Sequence, residues 1–259
     1  MSRLPTEFRR LFLATGSACA ADAIQASDLV DAEGRGRALV LELARPAEWQ
    51  PLADVWMGVQ AELGLPAPAI AVNGADSMQL WFSMAAPLEA ERAQCFLNGL
   101  RLRYLAQVKA DRVGLMTGAD SALAACAVAL NSPTGATQET DGRWPAFVAP
   151  DLAPIFAETP WLDLPPGDEG PSRLLSGVHS IKPALFDAAL AQLQAWAAAP
   201  AENASRAGAS ARDAQSQGAA HPEAQRFLLR VMNDEAAPLA LRIEAAKALL
   251  PFGGPHPAI

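Results

Sequence analysis

The chain has 259 residues, 51% of them hydrophobic, and a formal net charge of −8. That length buries a sizeable core and suits one large domain with an appendage better than two equal domains. Alanine inflates the apolar fraction, no run of about 18 apolar residues exists for a spanning helix, and an acidic chain lacks the broad basic surface that grips duplex DNA.

Near the N-terminus Arg9 and Arg10 precede Leu11-Phe12-Leu13-Ala14, which Thr15-Gly16-Ser17 then interrupts. An apolar stretch that short falls below the roughly 7–15 residues of a secretory signal core, so Phe8 to Leu13 reads as a short helix. Small residues lead on to Glu33-Gly34-Arg35-Gly36, a turn before a strand. Ala38-Leu39-Val40-Leu41-Glu42-Leu43 has the length and apolarity of a buried strand, and Pro46 ends it. The next helix is the clearest in the chain: Pro51 suits its first turn, and Leu52, Val55, Trp56, Val59 and Leu63 form one apolar face. Gly64 stops it. Pro66 and Pro68 force extended backbone into Ala69-Ile70-Ala71-Val72, a second strand. Asn73-Gly74 signals a hairpin turn. Beyond it Met78, Leu80 and Phe82 alternate with Gln79, Trp81 and Ser83, the period of a third strand.

Pro87 opens a helix expected from Leu88 to about Val108, with Phe96, Leu97, Leu100, Tyr104 and Val108 on its buried stripe. Arg101, Arg103, Lys109 and, just beyond, Arg112 make the local basic cluster. Arg112 to Met116 reads as a fourth strand, whereas residues 123–130 fit helix or strand equally. Residues 131–142 read as an exposed loop. The proline-punctuated stretch 144–166 interleaves Trp144, Phe147, Phe156 and Trp161, too many aromatics for free disorder, and reads as an irregular segment wrapped over the core. Pro183 begins another helix, to about Ala198. Residues 199–220 then read as a flexible linker, and 221–259 as a two-helix appendage suited to docking a protein partner or the main domain. The predicted fold for 1–198 is α+β: a mixed, mostly antiparallel sheet with helices packed on one face.

Cys19, Cys95 and Cys126 are too widely spaced for a disulfide framework or a CxxC metal site, and read as thiols in a reducing cytoplasm. His179, His221 and His256 lack the spacing of a zinc site. No GxSxG, P-loop, HExxH or GxGxxG occurs with the right flanks, so neither a catalytic nucleophile nor a cofactor is nominated.

The order strand, helix, strand, hairpin turn, strand, helix over residues 37–116 resembles the core of the archaeo-eukaryotic primase superfamily, including the polymerase domains attached to bacterial DNA-repair ligases. The residues that carry the likeness are Leu41-Glu42-Leu43-Ala44-Arg45 and Asn73-Gly74-Ala75-Asp76-Ser77-Met78-Gln79-Leu80-Trp81-Phe82. In that family the first strand ends in Asp-x-Asp and the hairpin carries a Ser-Gly-x-x-Gly-x-His-type signature. Here Glu42 matches the first acid, Ala44 stands at the second, and Gln79 stands at the histidine. Two-metal nucleotidyl transfer needs acids that clamp both ions, and Gln79 donates hydrogen bonds without a positive charge.

The resemblance therefore implies a relative without primase or polymerase activity and without a metal. It would bind nucleotide or single-stranded nucleic acid, for instance in replication of a mobile element. Glu42, Asn73, Gly74, Asp76, Ser77 and Gln79 would line that site, with Trp81 as a stacking platform and Arg101 and Arg103 tracking phosphate. Each residue also has a plainer explanation. Glu42 is a paired acid, Asn73-Gly74 a simple turn, Trp81 a core aromatic, and the arginines a solvated helix face. The rival function is a structural or protein-interaction module that keeps the sheet and binds only another protein, through the wrap or the tail. An active nucleotidyltransferase with rearranged acids comes third.

Overall fold

The structure, a computed structural model, describes residues 3–14, 24–131 and 142–214. The chain divides into Met1–Ala199 and Pro200–Ile259, and the sheet and its covering helices belong to the first unit. β1 (Gly36–Ala44) is its centre: β4 (Val113–Thr117) lies on one side and β3 (Ser77–Leu88) on the other. β2 (Ala69–Val72) and β5 (Ala146–Val148) follow outward, giving the order β4-β1-β3-β2-β5 with every neighbouring pair antiparallel. The α+β class and the antiparallel sheet agree with the sequence reading.

The helices, however, cover both faces rather than one. Leu39, Leu41 and Leu43 of β1 and Met78, Leu80 and Phe82 of β3 point to one face. There α2 (Trp49–Ala61), α3 (Ala90–Tyr104) and the first part of α6 (Pro183–Ala214) bury Val55, Val59, Phe96, Phe186 and Leu193 against them. Ala38 and Val40 of β1 and Trp81 of β3 point the other way, to α1 (Arg3–Phe12), α4 (Ser121–Asn131) and α5 (Glu169–Ser176). The physical reason lies in β1 and β3 themselves. β1 carries Leu39, Leu41 and Leu43 on one side and Ala38 and Val40 on the other, and β3 adds Trp81 to the second side; a strand apolar on both sides needs cover on both.

Other boundaries move for local reasons. α1 begins five residues before the expected Phe8, at Arg3, because Leu4, Phe8, Leu11 and Phe12 together make its buried face. β3 runs on through Pro87, tolerated at a strand's end where no ladder donor is needed, so α3 starts at Ala90 and stops at Tyr104. The ambiguous 123–130 is helical, as its alanine content favours. The wrap is not wholly irregular: β5 is inside it and extends the sheet beside β2. Trp144 and Leu162 exchange backbone hydrogen bonds of 2.8 and 2.9 Å that close the wrap on itself. α6 starts at Pro183 as expected but continues past Ala198 to Ala214, through the first part of the stretch read as linker. The rest of that linker, the appendage over 221–259 and most of the loop over 131–142 lie outside the described residues.

Two arginines secure the α1 face by serving helix C-termini, where carbonyls lack partners. Arg37, almost wholly buried, donates from Nη1 to Leu13 O just past the end of α1 (3.2 Å) and from Nε to Met84 O of β3 (2.8 Å). Arg10 donates to Leu175 O (2.9 Å) at the end of α5. Burial, and then the nearby Arg10 charge, pulls the Arg37 guanidinium below its ordinary value.

Candidate functional site

In an antiparallel ladder, directly opposed residues share a face. β1 pairs with β3 so that Glu42 opposes Gln79 and Ala44 opposes Ser77. Glu42, Ser77, Gln79 and Trp81 therefore project together from adjacent strands, on the side covered by α1 and α4. On the other flank Glu42 opposes Gly114 of β4. A Cβ on Gly114 would sit 3.0 Å from Glu42 Oε2, so this glycine makes room for the carboxylate.

These side chains form one continuous hydrogen-bonded chain. Ser77 Oγ and Gln79 Nε2 (2.9 Å) both donate to Glu42 Oε1. The same Nε2 donates to Cys126 Sγ of α4 at 3.2 Å, and Trp81 Nε1 donates to Gln79 Oε1 at 2.9 Å. Ser77, Gln79 and Trp81 are fully buried, and Glu42 is partly so. Each polar atom named here is satisfied by a neighbour within the chain, as burial demands. Trp81 has no free face for a base: its ring meets those of Phe12, Phe8 and Phe147 at centroid distances of 5.3, 5.7 and 6.0 Å.

Cys126 is the member that sequence reasoning missed. It comes from a segment whose helical state was open, far along the chain from Gln79, and no spacing rule links them. Burial pushes its thiol up; the Gln79 hydrogen bond opposes this, and the Glu42 charge adds to it. In a Cys19→Ser background the exposed Cys95 should therefore react at once with a thiol reagent at neutral pH. Cys126 should follow about tenfold more slowly or slower still. Equal rates, read by mass spectrometry of quenched samples, would show that the chain opens freely to solvent.

The hairpin turn is equally self-contained. Asn73 Oδ1 accepts from the N–H groups of Ala75, Asp76 and Ser77 at 2.8, 3.0 and 3.0 Å. Gly74, at φ +82°, sends its N–H to Pro160 O (3.1 Å). The amides that a phosphate would need are thus occupied, three by the asparagine and one by the wrap. A Cβ on Gly74 would approach Pro145 N to 2.9 Å, so this glycine allows close packing as well as the left-handed turn. Asp76 is exposed, and its carbonyl accepts from Arg45 N at 3.2 Å.

Arg101 and Arg103 lie elsewhere. They belong to α3, whose buried residues Phe96, Leu97 and Leu100 pack on the opposite face of the sheet from Gln79 and Trp81. Arg101 donates to Asn98 Oδ1 at 3.2 Å. Arg103 pairs with Glu62 at 3.0 Å and stacks on Trp196, its Cζ 4.4 Å from the ring centroid. It thereby ties α2, α3 and α6 together. Arg112 is held by Ala44 O (3.2 Å), Pro46 O (2.8 Å) and Glu48 (3.4 Å). The three arginines of the basic cluster expected from sequence are thus distributed among structural contacts. Among the described residues no three His, Cys, Asp or Glu side chains gather as metal ligands, and no helix is long and apolar enough to cross a membrane.

The Arg103 junction supplies a solution test. Tyr104, the single tyrosine in the sequence, donates to Glu62 Oε2 at 3.2 Å. Burial first, then the Glu62 carboxylate, pushes its hydroxyl up to about 12. A raised folded-state value means its contribution to stability is complete below the unfolded value of about 10. That contribution is lost as pH climbs from there through the folded value. Absorbance at the tyrosinate band should titrate near 12 in the native protein and near ~10 in urea. Coincident curves would refute the Tyr104–Glu62 contact.

Comparisons with family models, with curated proteins and with solved structures give no match.

Proposed function

We propose that the chain is a non-catalytic protein-interaction module, with the two-faced sheet as scaffold and the wrap as the contact surface. One observation carries this reading: the wrap turns large apolar side chains outward, with Leu152, Ile155 and Leu164 at 47, 66 and 76% exposure. Exposed apolar side chains grouped on one segment mark an interaction surface where scattered single ones do not. Of the residues nominated for nucleic acid, Ser77, Gln79 and Trp81 are by contrast buried in the fold, and Arg101 and Arg103 lie on a helix of the sheet's other face.

A triple variant, Leu152→Ser, Ile155→Ser and Leu164→Ser, tests it. Used as bait beside the unaltered chain, it should lose a stoichiometric protein partner that the unaltered chain retains. Retention by both would overturn the assignment of the wrap.

A second reading rests on the register that sets Glu42 opposite Gln79 on the face where the resemblance to primases places a metal cleft. On that reading the chain is a degenerate primase relative whose cleft is filled by α4, and it binds single-stranded nucleic acid. Fluorescence anisotropy with a labelled single strand decides between the two. The interaction reading expects no salt-sensitive binding at all; binding that weakens steeply with salt would favour the primase relative.

A further inference from the structure

A groove of about 700 Å³ runs between α1 and α5, on the opposite side of those helices' role as core cover. Its size lies within the roughly 300–1,000 Å³ of small-molecule sites. Arg3, Thr6 and Glu7 of α1 face it, at the i, i+3, i+4 spacing that puts residues on one side of a helix. Glu169, Ser172, Arg173 and Ser176 of α5 do the same from the other wall.

The charges in this groove do not cancel. Glu7 is already neutralised by Arg10 at 2.7 Å. Among the described residues the Arg3 and Arg173 side chains have neither an ion pair nor a hydrogen bond, and Glu169 has no cation. Two free guanidiniums therefore stand against one free carboxylate, in a chain that is acidic overall. The hydroxyls of Thr6, Ser172 and Ser176 stand beside them. Ser172 and Ser176 direct their protons to the carbonyls of Glu169 (3.0 Å) and Arg173 (2.7 Å), so the two guanidiniums are the groove's donors for an anion.

We propose that this groove binds a phosphate monoester. A phosphate presents three strong acceptor oxygens and close to two charges, the complement of a pair of arginine forks. The groove is much larger than the anion alone, so an organic group fills the remainder, with Glu169 available to accept from its hydroxyls. This site is distinct from the Glu42–Gln79 chain and does not depend on the wrap.

Isothermal titration of the full chain at fixed ionic strength tests the assignment, with inorganic phosphate, phenyl phosphate and malonate as probes. Phosphate should bind, phenyl phosphate should bind more tightly, and malonate should bind more weakly than phosphate, since it does not gather three strong acceptor oxygens on one centre between the two guanidiniums. Arg3→Gln and Arg173→Gln should each weaken phosphate about tenfold, the loss typical of one charge-assisted hydrogen bond. Arg101→Gln, on the other face of the sheet, should leave it unchanged. Absence of heat with phosphate, equal affinity for malonate, or undiminished binding by the Arg3→Gln/Arg173→Gln protein would each overturn the proposal.

Discussion

Trp81→Ala is expected to destabilise the fold by about 3–5 kcal/mol, the range for removing a large aromatic from a packed interior. The indole is fully buried and touches the rings of Phe8, Phe12 and Phe147, so it joins α1, β3 and β5 at one point. The truncation forfeits burial and edge-on ring contacts, each of the latter worth about 0.5–1.5 kcal/mol. It also strands the Gln79 carbonyl that the indole N–H serves. Trp81→Phe separates these contributions. It keeps most of the ring contact but removes the donor, and should cost roughly 1–3 kcal/mol, the penalty of one unsatisfied buried group. Urea unfolding followed by far-ultraviolet circular dichroism measures both. If the two variants are equally stable, the packing account is wrong.

Gln79→Glu should add a new pH dependence to the protein's stability. Gln79 Nε2 lies 2.9 Å from Glu42 Oε1, so a carboxylate there faces a like charge inside the protein unless it keeps a proton. Protonated, it still donates to Glu42 and accepts from Trp81, and the variant near pH 4 should resemble the parent. The substituted carboxyl would be raised in the folded state by burial and by its neighbour. The unfolded chain releases its proton near pH ~4.3 while the folded chain holds it, so stability falls as pH rises above that value. A shift of about two pH units corresponds to a loss of roughly 2.7 kcal/mol at neutral pH. Adding Glu42→Gln exchanges the roles of the pair and should remove most of that pH dependence. A Gln79→Glu protein equally stable at pH 4 and pH 8 would show that the two side chains do not meet.

Both results bear on how much was legible in the sequence. Alternation in β3 placed Gln79 and Trp81 on one side and Leu80 and Phe82 on the other, and the glutamate in β1 could be assigned the same side by parity. What alternation cannot state is whether the polar side faces water. That depends on α1 and α4, drawn from sequence on either side of the sheet strands, and on β5, which is three residues long and hidden among prolines. The short apolar run at 123–130 did not reveal its helix, so the partner it brings to Gln79 was invisible. The arginines of α3 were correctly set off its buried stripe. Their partners, Glu62 and Trp196, come from α2 and α6 and could not be read from spacing within α3. The paired arginines of the α1–α5 groove were also out of reach, because no local pattern announces that two distant helices will lie side by side.

The Gly74 contact has a practical consequence for anyone engineering the protein. Tips of hairpins are ordinarily the safest places to graft an epitope, a protease site or a new terminus. Here the tip lies beneath Pro145 and Pro160, and the strand that follows Pro145 is held to the rest of the sheet only through β2. An insertion between Gly74 and Ala75 would lever that strand away, so the customary graft site is in this protein one to avoid.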